Sequence, residues 1–351
     1  MNKYISSLQT LRGIAFLLIF FGHAGVLANN AGGGGVTLFI ELSGFLLVYR
    51  HCNEDLSLNI GKCLKFGIDR IKKLYLVYIV TTFYFIALGI YQKNIVFDYM
   101  FVKNVLINIF LVQCWFPSQI SNSYNNVAWY LSCVFLLYII FPYINAVIKR
   151  YRNRRDAFFS IALLILLQFL YLFCLYRNSV SWYEWGVYTS PYYRIFEFLI
   201  GCNLGYLYST RKIKENKNII ICVLTVTLLF FFCISHFYNV SKMQAIDNFL
   251  DSSTARFSLL AIPMIYAFSL YDGKQGKVFV IIGDLSNYGF LIHTIVIQLT
   301  FKILVAIGCD ETRACAIVSF GVTLLISYVI KYIGKKGKGN KDDRKIQLSR
   351  N

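Results

Sequence analysis

Leu8–Ala28 reads LQTLRGIAFLLIFFGHAGVLA, an apolar run with a cation and an imidazole inside it. As a helix, its 21 residues span about 31 Å, enough for the hydrocarbon core of a bilayer. Arg12 and His23 stand 11 residues apart. At about 100° per residue they come within about 20° of one another, on one helix face and about 16 Å apart along the axis. Charged and titratable side chains at membrane depth are costly, and they face a bundle interior or a wet cavity. One helix therefore offers a cation near its mouth and a proton acceptor deep within.

Runs of the same kind recur at Phe158–Leu175, Ile219–Ser235 and Ala314–Ile330. With 57% hydrophobic and only 15% charged residues, the chain is predicted to be an all-α polytopic membrane protein, and a soluble domain is excluded. The first run is not read as a cleavable signal, because it is too long, holds Arg12 and His23, and lacks a small-residue cleavage site. The net charge of +18 does not point to nucleic acid, since the positive residues cluster in the short gaps between apolar runs. The ten cysteines show no paired C-x-x-C spacing and read as small core residues, with neither a disulfide framework nor a metal site expected.

Ten spans are expected, at 8–28, 35–49, 74–91, 128–148, 157–176, 194–209, 219–237, 256–271, 285–306 and 314–332. An eleventh candidate, Met100–Phe116, is short and interrupted by Lys103, Asn104, Asn108 and Gln113, and it is read as interfacial or re-entrant. Charge decides this. With ten crossings, 27 of the 35 Lys and Arg residues fall on the side of the termini and 8 on the other, which predicts both ends cytoplasmic. Residues 1–333 form the membrane domain in this reading, and 334–351 a basic, disordered tail resting near anionic membrane lipids.

The candidate chemistry follows from placement. Arg12 lies at the cytoplasmic mouth, and Arg70, Lys72 and Lys73 enter the third span on the same side. Two cationic patches at one mouth suit a polyphosphate ligand, although lipid headgroups explain Lys72 equally well. His23 is the candidate general base, a neutral imidazole able to take a hydroxyl proton. His293, in LSNYGFLIH with Ser286 and Tyr288 nearby, is either catalytic support or structural; His51 and His236 receive no role. Glu41 is a carboxylate expected to be buried and therefore protonated or paired. Ser43-Gly44 allows close helix approach, and Gly32–Gly35 reads either as a flexible hairpin or as backbone donors to an oxyanion. Arg194 and Glu197, three residues apart, should meet on one face and neutralise each other.

Together these segments resemble the integral-membrane acyltransferase-3 family, which O-acylates glycans and related acceptors from acyl-CoA. LRGIAFLLIFFGHAG is similar to its R-x10-H first-span pattern, and GVTLFIELSGFLL to its second-span motif ending in SGF. WYLSCVFLLYIIFP, which brings in Trp129 and Ser132, resembles its aromatic-Leu-Ser helix ending in Phe-Pro. RIFEFLIGCNLGYL and LSNYGFLIH resemble two later motifs. The resemblance runs from Leu8 to about Lys331, and it implies a ten-span core with cytoplasmic ends. Departures are Lys73 for Arg, Leu76 for Pro, Val134 for an acid, Glu41 at an apolar place, and Asn287 and Phe290 where Tyr is common.

The resulting expectation is a multi-pass enzyme of the inner cell membrane that moves an acetyl group from acetyl-CoA to a hydroxyl of a surface or lipid-linked glycan. His23 and Arg12 would be the catalytic residues; Arg12, Arg70 and Lys73 would hold CoA phosphates, and His23 would act on the acceptor hydroxyl either directly or through an acyl-enzyme. Glu41, Ser43, Trp129, Ser132, Arg194, Glu197 and His293 would support substrate or site. The rival reading is a proton-coupled transporter or flippase for a glycan precursor, with His23 as its proton relay.

Overall fold

The computed structural model describes residues 4–27, 31–117, 123–178, 183–211, 255–271 and 273–348. Among them every regular element is helical. In chain order these are α1 (Ser6–His23), α2 (Ala31–His51), α3 (Ile60–Tyr91), α4 (Tyr99–Ile109), α5 (Trp129–Ile148), α6 (Arg154–Arg177), α7 (Pro191–Ser209), α8 (Ala255–Leu270), α9 (Lys277–Ala306) and α10 (Thr312–Leu348). The expected span 219–237 lies outside the described residues.

Six of these segments are long and apolar enough to cross a membrane: α2, α3, Asn126–Ile148, α6, α9 and Thr312–Gly334. Their burial sorts them into layers. The apolar window of α2 is 83% buried, whereas those of α3 and α6 are 22% buried. The outer faces of α3, α6 and α10 carry Leu76, Phe83, Phe159, Leu166, Leu325 and Tyr328 in the open, an apolar girdle of the kind lipid covers. Helices α1, α7 and α8 are shorter or more polar than these six, because their neighbours are protein and they carry the buried polar groups Thr10, Arg194, Glu197 and Ser258.

The inner helices touch backbone to backbone. A Cβ on Gly201 of α7 would lie 1.9 Å from the Glu41 carbonyl oxygen, and one on Gly44 of α2 would lie 2.2 Å from that of Phe198. Gly283 of α9 similarly meets the Gln9 carbonyl of α1 at 2.0 Å. Small residues at such crossings let dispersion and interhelical hydrogen bonds replace the hydrophobic drive that lipid removes.

Several boundaries move. Helix α1 stops at His23 rather than at residue 28, with Gly25 in the left-handed region at φ 73°. The glycines 32–35 are not a hairpin: they are the buried first turns of α2, and a Cβ on Gly35 would lie 2.4 Å from the Ala15 carbonyl of α1. The expected loop 50–73 is helical from Ile60, where Asn59 caps α3 by accepting from the Lys62 N–H, so Arg70 and Lys73 sit on a rigid element. Helix α4 has 11 residues, about 16 Å of rise, too short to cross the bilayer alone. It is tied down by Tyr75 and Tyr78, whose hydroxyls donate to the carbonyls of Ile109 and Asn108. The backbone of α10 runs on past Gly334 to Leu348.

Candidate active site

Two cavities lie along the path from Arg12 to His23. The first has a volume of about 350 Å³ and is lined by Arg12, Ser43, Arg50, Arg70, Lys73 and Asn287, among others. Asp69 is the acid on this wall, and it accepts from Lys72 at 2.6 Å and from Lys65 at 3.4 Å, both on its own helix. Four cations thus converge on one space. Arg12 reaches it from α1 and donates to Asn287 Oδ1 on α9. Its guanidinium carbon also lies 5.6 Å from the centre of the Phe39 ring on α2. Arg70 stacks on Phe66 at 3.3 Å and donates to His51 Nε2 at 2.7 Å. His51 Nδ1 in turn donates to Glu54 at 2.5 Å. This chain fixes Arg70, and sequence reasoning missed it: His51 and Glu54 share a helical spacing, but Arg70 lies 19 residues further on.

The second cavity is about 950 Å³, with His23 on its wall. His23 is the last residue of α1 and is exposed there, not enclosed within the helix. Its Nδ1 lies 2.8 Å from the Ile19 carbonyl. A carbonyl can only accept, so Nδ1 carries the proton and Nε2 is left as the basic nitrogen. His293 on α9 repeats the arrangement, donating from Nδ1 to the Phe290 carbonyl at 2.8 Å. The two imidazoles meet edge to face with centroids 4.9 Å apart. His293 is fully buried, and its Nε2 has no hydrogen-bond partner among the described residues. Gly32, in the first turn of α2, flanks His23: a Cβ there would lie 3.8 Å from its ring.

Aromatic rings and side-chain amides line much of this wall, including Trp129, Trp185, Tyr188, Gln113 and Gln298, with Lys302 at the exposed end of α9. Among the described residues lining it there is no carboxylate. Behind Trp129 and Tyr188 stands Arg194, with its guanidinium 5.3 and 5.1 Å from their ring centres. Arg194 is buried and donates to both oxygens of Glu197, at 2.7 and 2.8 Å, and to the Tyr188 carbonyl at 2.6 Å. Thr37 of α2 closes the network by donating to Glu197 at 3.1 Å.

The residues singled out from sequence therefore separate. Arg12, Ser43, Arg70 and Lys73 share the basic cavity, while His23 and Trp129 share the other with His293 packed against His23. Glu41 lines neither of them; it accepts a hydrogen bond from Ser258 of α8 in the bundle core. Ser132 is likewise inside the fold, accepting from the Cys114 N–H at 3.3 Å, and its carbonyl accepts from the Trp115 indole. Arg194 and Glu197 pair as their spacing predicted, one layer behind the cavity wall.

A family model described as an acyltransferase domain matches residues 5–332, nearly the whole chain. The chain belongs to the acyltransferase-3 family. No curated protein and no solved structure matches it. Membership in that family, with the apolar helices, makes the protein a multi-pass membrane acyltransferase.

Proposed function

We propose that this acyltransferase takes an acetyl group from cytoplasmic acetyl-CoA and places it on a sugar hydroxyl of a surface or lipid-linked glycan. The observation that carries the reading is the pairing of a four-cation cavity with a histidine cavity at the two ends of one helix face. The charge count favours a ten-span protein with both ends and the basic cavity on the cytoplasmic side, and we place it in the inner membrane. There Arg12, Arg70 and Lys73, joined by Arg50, suit the phosphates of CoA, with Arg70 pre-aimed by His51. The aromatic and amide wall beyond His23 suits a sugar, whose C–H faces stack on rings and whose hydroxyls bond to amides.

In the reaction His23 Nε2 takes the proton of the acceptor hydroxyl as its oxygen attacks the thioester carbonyl. The new C–O bond forms, the C–S bond breaks, and the proton passes to the leaving sulfur, releasing CoA as its thiol. The charge on His23 develops at the carbonyl end of α1, which favours a cation. The N–H groups of the first turn of α2 lack intrahelical acceptors and begin beside His23, where a developing oxyanion would need donors.

The test is labelled acetyl-CoA given to membranes that contain the native glycan, with label followed into base-labile ester. Wild type should label glycan, and His23→Ala at matched expression should not. Equal labelling by both would remove His23 from the chemistry. No labelling by folded wild type with acceptor present would overturn acetyl-CoA as the donor.

A further inference from the structure

Among the described residues the two cavities are separate spaces. Between them is a void of only about 10 Å³, room for about one water molecule. Tyr130 and Asn287 line both this void and the basic cavity, and Phe290 lines both this void and the histidine cavity, so the three spaces lie in series. The closure is made of rings from three helices. Tyr130 of α5 and Phe290 of α9 have centroids 4.9 Å apart, and Phe39 of α2 lies 6.1 Å from the first and 6.5 Å from the second. Arg12 sits over Phe39 at 5.6 Å on the basic side, and His293 lies 5.8 Å from Phe290 on the other.

We propose that Phe39, Tyr130 and Phe290 form an aromatic closure that the acyl arm of the donor must part, and whose bore limits the acyl group to a short one. The proposal rests on the acyl-CoA reading above. A thioester cannot pass a one-water void, whereas ring rotation about side-chain torsions opens it without moving a helix. Between turnovers the closed rings keep the two cavities from joining into a water path across the bilayer, as apolar constrictions do when they dewet. When the arm is in place it fills the bore itself. Selection follows because the acyl group leads the arm, so every added methylene must first pass between the same three rings.

The experiment uses the full chain in proteoliposomes and in native membranes, with Phe290→Ala, the milder Phe290→Val, and Tyr130→Leu, each checked for monodispersity. Acetyl-, butyryl- and hexanoyl-CoA serve as donors. Widening the bore should raise the butyryl-to-acetyl transfer ratio by about tenfold or more, the usual worth of one or two methylenes against a tight wall. Folded variants whose ratio stays at the wild-type value would overturn the selection. The second readout needs no donor: proton leak into vesicles loaded with a pH dye should rise about tenfold when the apolar closure is opened. Vesicles as tight as wild type would overturn the closure. If folded wild type transfers from none of the three donors, the acyl-CoA reading fails, the selection fails with it, and the leak alone decides whether the rings close the path.

Discussion

Replacing Arg194 by Met separates a structural role of the buried ion pair from a chemical one. Both Arg194 and Glu197 are fully buried, and the guanidinium supplies two hydrogen bonds to the carboxylate and one to the Tyr188 carbonyl. With Met at 194 the Glu197 carboxylate loses both guanidinium hydrogen bonds and keeps that of the Thr37 hydroxyl. Removing one partner of a buried ion pair costs about 3–5 kcal/mol, close to the whole stability of many domains. Glu197→Met alone leaves the buried guanidinium its bond to the Tyr188 carbonyl but no counter-charge, and should cost a similar amount. The double variant Arg194→Met/Glu197→Met removes both charges along with their desolvation, and should recover about 2 kcal/mol or more of either single loss. Equilibrium unfolding by SDS titration in mixed micelles, run on all four proteins, gives the coupling energy directly. A single variant within about 1 kcal/mol of wild type, or a double variant equal to the sum of the singles, would refute the argument. The folded double variant also reports on function. Trp129 and Tyr188 lose the cation behind them, so acceptor KM should rise while donor KM stays put.

His293→Ala should leave donor KM unchanged and lower kcat about 10- to 100-fold, because the ring that fixes the plane of His23 is gone. His293→Phe keeps that ring and should recover most of the rate; persistence of the loss would assign the chemistry to the unpartnered Nε2 instead. Arg70→Ala should raise donor KM about 10- to 100-fold, the worth of a charged hydrogen-bond pair to phosphate, and His51→Ala by a smaller factor through the lost aim of Arg70. Steady-state kinetics over acetyl-CoA concentration check both, and an effect confined to kcat would remove Arg70 from donor binding. Gly201→Ala drives a methyl into the Glu41 carbonyl and should cost about 1–3 kcal/mol or more in the same SDS titration. Gly321→Ala, with nothing within 4 Å of its Cβ, is the control and should be neutral or stabilising.

Much of the helix inventory was legible along the chain, but its ends were not. Apolar length marked α2, α3, α6 and α9, yet α3 begins at Ile60, well before the expected residue 74. The Lys-rich turn Lys62–Lys73 looks like a loop by composition, whereas on the helix its apolar members Cys63, Gly67 and Ile71 form the buried stripe. The glycine run 32–35 misled for a related reason. Four glycines suggest a turn when read locally, but here the missing side chains serve contact with α1. His51 was passed over because its partner Arg70 belongs to another helix, and the three rings of the closure come from positions 39, 130 and 290, which no local pattern links.

The sequence alone determined that this chain lives in a membrane, that Arg12 and His23 share a face, and which family its motifs resemble. Each of these is written in residues a few turns apart, where helical periodicity and hydropathy act directly. Only the tertiary structure decided what that face meets: Asn287 opposite Arg12, His293 opposite His23, and three aromatic rings between the two cavities. The Arg12–Asn287 contact joins positions 275 residues apart. Such partners are set by how helices cross, and the crossings are set by glycines such as 44, 201 and 283 that admit one backbone to another. Packing between helices has no period along the chain, so it leaves no signal there to read.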